Sequence, residues 1–127
     1  MSAGADRPMN AAMAIDHVQV AMPAGREEDA RRFYAGVLGL CEVDKPAPLV
    51  SRGGVWFEAG GVGLHLGVEK DFRPAKKAHV AFRIGDLATA RARFEAAGLP
   101  IREDVAIGIL RFFTEDFFGN RVEIVAA

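Results

Sequence analysis

The sequence predicts an α+β fold made of two βαβββ modules, and three observations carry that prediction. Apolar and polar residues alternate with period two in short runs bounded by glycine, as half-buried strands do. Two longer segments switch to the 3.6-residue period of an amphipathic helix, and each stops at a glycine. The order strand, helix, then three strands occurs twice along the chain.

The first strand is IDHVQVAM, followed by a turn and a helix over about 26–37. Its stripe is Ala30, Phe33, Tyr34, Val37 and Leu38, and Gly39 ends it. Strands follow near Cys41–Val43, Gly54–Glu58 and Val62–Val68, and the glycine cluster Gly60–Gly63 between the last two reads as a tight hairpin turn. EKDFRPAKK is a polar joint whose Pro74 interrupts helix and strand alike. KAHVAFRI opens the second module, and Asp86 is placed to cap the helix LATARARFEAAG, which ends at Gly98. Three strands recur near Pro100–Glu103, Leu110–Thr114 and Arg121–Val125. Overlaying the halves pairs His17 with His79, Gly39 with Gly98, WFE at Trp56–Glu58 with FFT at Phe112–Thr114, and His65 with Glu123. The expectation is a leader over 1–13 and one domain over 14–127, with modules over about 14–68 and 77–126. Each module is too small to bury a core by itself, so the two are expected to fold together.

Composition narrows the function. With 16 Lys+Arg against 17 Asp+Glu the net charge is −1, and neither sign forms a long run. That argues against a nucleic-acid groove or a polybasic membrane patch. No apolar run reaches the roughly 18 residues of a membrane span, and the first residues lack the apolar stretch of a signal peptide. A single cysteine, Cys41, fits a reducing compartment, and the expected location is cytoplasmic.

Strand parity sorts the polar groups. His17 and Gln19 share one face of the first strand, and His65 shares its face only with Gly63 and Gly67. His79 shares a face with Ala81 and Arg83, and Glu123 lies opposite Val122 and Ile124. Three imidazoles and one carboxylate, at equivalent places in two modules, are a first shell suited to a divalent transition metal such as Ni, Zn, Fe, Co or Mn. A buried, ionised Glu123 is costly unless paired or bound to a metal. Taken singly, each histidine also fits a hydrogen-bonded core position. Arg83 and Arg111, the latter beside the FFT strand, are candidate contacts for an anionic substrate group and fit surface or dimer-interface arginines as well, while Gln19 beyond His17 is a further candidate substrate contact. Trp56 and Phe57 straddle one strand, so one of them faces the substrate side and the other the core.

Four stretches carry a family resemblance: the opening IDHV, FYAGVLGL at the helix end, AHVAF in the second module, and the closing FFTEDFFGNRVEIV. The chain resembles the vicinal-oxygen-chelate superfamily, which includes glyoxalase I, fosfomycin thiol transferases, extradiol dioxygenases and bleomycin-binding proteins. Phe117 stands where the family's closing motif usually has proline. The resemblance implies an eight-stranded, cup-shaped half-barrel with helices outside, and metal ligands at His17, His65, His79 and Glu123. It also implies a homodimer in which each site draws its first-module ligands from one chain and its second-module ligands from the other. The expected activity is that of a metal-dependent glyoxalase-like lyase or isomerase acting on a small α-oxo or α-hydroxy compound. Glu123 would be both ligand and proton carrier. Resembling glyoxalases carry glutamate where this chain has His65. A non-catalytic, bleomycin-resistance-type binding protein is the alternative. A thiol transferase and a dioxygenase stand further off, because Gln19 replaces an expected threonine and Phe113 an expected tyrosine.

Overall fold

A computed structural model describes residues 13–105 and 107–127. Apart from Met13, the expected leader lies outside the described residues. The first module runs β1 (His17–Met22), α1 (Glu27–Arg31), β2 (Cys41–Val43), β3 (Val55–Ala59) and β4 (Val62–Val68). The second runs β5 (Val80–Ile84), α2 (Leu87–Ala96), β6 (Arg102–Glu103), β7 (Arg111–Glu115) and β8 (Arg121–Ala126). The fold is the expected α+β repeat. Each module forms a four-stranded mixed sheet, ordered β1-β4-β3-β2 and β5-β8-β7-β6. In both, the first strand runs parallel to the last and the rest pair antiparallel. The eight strands are thus split between two open sheets. Val18 on β1 and Val80 and Phe82 on β5 line an apolar gap between the two sheet edges.

Local chemistry explains the elements. Gly60 and Gly61 have φ of 56° and 85°, the left-handed pair that a two-residue turn between Ala59 and Val62 requires. Asp86 caps α2 through Thr89 N–H at 3.0 Å and the Thr89 hydroxyl at 2.7 Å. The predicted first helix is present, but beyond Arg31 it widens into π-helical turns over Arg32–Val37. Leu38 N–H reaches back to Phe33 O at 2.8 Å. Phe33 and Tyr34, adjacent in sequence, are both fully buried there. A six-residue 3₁₀ helix, Ala47–Arg52, links β2 to β3.

The core lies between the helices and one face of each sheet, around Phe33, Phe57, Leu64, Phe94, Phe112 and Ile124. Asp116 and Asn120, 1% and 2% exposed, tie the modules together inside it. Asp116 accepts hydrogen bonds from Phe118 N–H, Asn120 N–H, the Asn120 amide and the Tyr34 hydroxyl, all at 2.8–3.0 Å. Asn120 also donates to Ala21 O at the end of β1 (2.9 Å) and accepts from Ala75 N–H (2.9 Å). Burial, with Asp116 alongside, raises the Tyr34 pKa well above that of free tyrosine, so the phenol stays a donor.

Candidate functional site

Register places the candidate ligands symmetrically. His17 lies opposite Gly63 and His65 opposite Gln19, so the two histidines meet diagonally across β1 and β4. Their rings stack at 4.4 Å between centroids, tilted by 16°. Trp56 is the β3 partner of His65, and its ring covers the other side at 3.7 Å and 1°. His65 is therefore the middle of a three-ring stack and only 8% exposed. Burial first, and then the nearby His17, lower its pKa below that of free histidine.

The glycines flanking His65 make this arrangement possible. A Cβ on Gly63 would come within 3.0 Å of both His17 Cβ and His65 Nε2, and one on Gly67 within 2.7 Å of Gln19 Nε2. The side chains of His17, His65 and Gln19 lean into the space those glycines leave.

In the second module His79 stands one residue before β5, just outside the strand expected to hold it. It meets Glu123, whose partner across the ladder is Ala81, along the same kind of diagonal. His79 Nε2 lies 2.9 Å from Glu123 Oε1, and His79 Nδ1 lies 2.8 Å from Lys77 O. A backbone carbonyl only accepts, so Nδ1 carries a proton. In the neutral ring Nε2 then presents a lone pair to a carboxylate oxygen. Two acceptors at that distance need a proton between them, carried by either group, or a metal held by both. An imidazole nitrogen beside a carboxylate oxygen is a donor pair of the kind that holds a divalent transition metal, so the chemistry of the pair fits one. Arg111 donates to the other Glu123 oxygen at 3.3 Å and to Asp104 at 3.1 Å.

The chain thus brings the four candidate ligands together as two pairs, His17 with His65 and His79 with Glu123. Among the described residues no three His, Cys, Asp or Glu side chains gather into one metal-binding group. Of the candidate substrate contacts, Trp56 is committed on one face to His65, and Gln19 lies over Gly67. Arg111 is bound to Glu123 and Asp104, and Arg83 is exposed on β5. Sequence reasoning missed Asp104, which orients Arg111, because that contact bridges a loop to a strand. It also overlaid the modules one residue out of step. Trp56 faces His65 and Phe113 faces Glu123, so Trp56 corresponds to Phe113, not to Phe112. Aligning on the similar triplets WFE and FFT hid the one-residue shift, which swaps the faces of a strand.

The family model for the Glyoxalase/Bleomycin resistance protein/Dioxygenase superfamily matches residues 14–124. Among solved structures, a Bacillus anthracis protein assigned to the glyoxalase family is 43% identical with a TM-score of 0.85. The match covers 90% of this chain and 94% of that one. A lactoylglutathione lyase from Agrobacterium tumefaciens is 25% identical with a TM-score of 0.68, covering 90% and 93%. A glyoxalase/dioxygenase from Nostoc punctiforme shares the fold at 21% identity and a TM-score of 0.77, covering 94% of each chain. No curated protein is similar enough to count as a match. With its whole repeat matched and a 43% identical relative superposing on nine-tenths of its length, this chain belongs to the glyoxalase/bleomycin resistance/dioxygenase superfamily.

Proposed function

We propose that this protein is a metal-dependent lyase or isomerase of the glyoxalase type, acting on a small α-oxo or α-hydroxy compound. One observation supports it above the others. Lys77 O fixes the His79 tautomer and turns the Nε2 lone pair toward Glu123, as in the carbonyl-oriented histidines of metal sites. His79 and Glu123 are one half of the ligand set, and His17 and His65 of a second chain are the other. Four ligands of this kind suit a divalent Ni, Zn, Fe, Co or Mn ion. The pairing of ligands within each module supports a homodimer with a site at each subunit interface.

A divalent ion held by His79 and Glu123 with His17 and His65 of a second chain would supply Lewis acidity toward a substrate carbonyl or hydroxyl. The chain's own groups do the rest. Glu123 Oε1 takes a proton from the activated carbon and returns it to the neighbouring one, while Arg111 steadies Oε2. Arg111 therefore serves as a positioning group for Glu123. The lactoylglutathione lyase of Agrobacterium tumefaciens is a relative named for chemistry of this class.

Protein purified without chelators should hold about one transition metal per chain, and His79→Ala should lose it. A protein that stays metal-free when offered all five ions removes the proposal. A second reading has its own support: a protonated His79, together with Arg111, satisfies Glu123 with no metal at all. That favours a non-catalytic binding protein of the bleomycin-resistance type, and the same metal measurement separates the two.

A further inference from the structure

We propose that Lys76, Arg102 and Arg121 form an anion subsite around Phe113, and that it holds the carboxylate or phosphate arm of the substrate. Only the assignment of that arm to a substrate rests on the proposed function; the anion site stands on its own geometry. Arg102 on β6 is the ladder partner of Phe113 on β7, and Arg121 on β8 faces Glu115 two residues further along β7. The guanidinium carbons of Arg121 and Arg102 lie 4.1 Å and 5.7 Å from the centre of the Phe113 ring. Lys76 is held against the same rim by Gly119 O at 3.3 Å. The three cations line a cavity of about 180 Å³, whose one carboxylate is Glu115.

The charges there are unbalanced. Arg111, also against Phe113, spends its charge on Glu123 and Asp104. By contrast, among the described residues no carboxylate lies within 4.0 Å of Lys76, Arg102 or Arg121. Contact with an aromatic ring is attractive but leaves the charge in place. Moreover, Arg121 Nε is buried without a hydrogen-bond partner, and an unmet buried donor is costly. A bound anion supplies the missing acceptor and offsets three like charges at once. Guanidinium groups match the planar carboxylate and the phosphate alike.

Placement ties the subsite to the chemistry. Arg121 and Glu123 share a face of β8 two residues apart, about 7 Å along the strand. A molecule anchored at Arg121 by its acid group therefore reaches Glu123 and His79 with a chain of only a few atoms. The substrate class this selects is a short oxo- or hydroxy-compound with a second, anionic end.

The test is calorimetric titration of the metal-free protein with inorganic phosphate and, separately, with succinate. Saturable binding of either probe is expected, weakened at least tenfold by Arg121→Gln and severalfold by Arg102→Gln. Arg102 is exposed on a sheet edge, so its variant tests the site even if Arg121→Gln disturbs folding. Lys70→Gln, in the exposed turn after β4, should change nothing. Binding of one probe and not the other assigns the subsite to phosphate or to carboxylate. No saturable binding of either probe, or binding that both variants leave intact, overturns the proposal. Because no metal is present, the result is independent of whether His79 and Glu123 bind one.

Discussion

His65 is held between Trp56 and His17, and that enclosure decides how it answers to acid. Its folded pKa is below the free value of about 6.5, so above that pH the ring is neutral in both folded and unfolded chains. As pH falls below 6.5 the unfolded chain takes up its proton first, and folding stability declines until the folded ring titrates as well. Metal-free wild type should therefore lose more thermal stability between pH 7.5 and pH 5.5 than His65→Gln does. Equal losses would contradict the enclosure. At the same scale, Arg111→Gln should weaken metal binding about tenfold, the usual cost of losing a group that orients a ligand. Unchanged affinity would show that Glu123 needs no such support.

Strands and helices were legible because their signals are local. Alternation in VGLHLGVE gave β4 to the residue, and Asp86 and Gly98 marked the ends of α2. The π-helical turns after Arg31 were not legible, since the stripe through Phe33 and Tyr34 fits an ordinary α-helix equally well. Cross-strand contacts were half legible. Parity placed His17 with His65 and His79 with Glu123 on faces where they meet in pairs, but the cluster of arginines on Phe113 depends on the β6–β7 register, which no local pattern specifies. Two substitutions test the element-level account. Asp86→Ala should cost about 1 kcal/mol in chemical denaturation, as lost N-caps do. Gly54→Ala should cost more, at least ~2 kcal/mol, because Gly54 has φ of 88° and its added Cβ would sit 2.2 Å from Leu66 O. A Gly54→Ala change that is neutral would mean that the corner leading into β3 is looser than described.

At the scale of the molecule, two open sheets are joined by the Tyr34–Asp116–Asn120 knot and by apolar contact, without hydrogen bonds between β1 and β5. The family's closing motif, DFFGN here, thus serves as a tie between modules, which its position near Glu123 in the sequence concealed. Among the described residues no helix is long and apolar enough to cross a membrane. The central claim is that each metal is shared between first-module ligands of one chain and second-module ligands of another. Complementation of two inactive partners tests it most directly. Neither His17→Ala/His65→Ala nor His79→Ala/Glu123→Ala should bind metal alone. In a mixed dimer one of the two interface sites regains all four native ligands. An equal mixture, unfolded and refolded together, should therefore recover roughly one metal per four chains, since half of randomly paired dimers are mixed. Recovery no greater than either variant shows alone, with dimers present, would contradict a shared site.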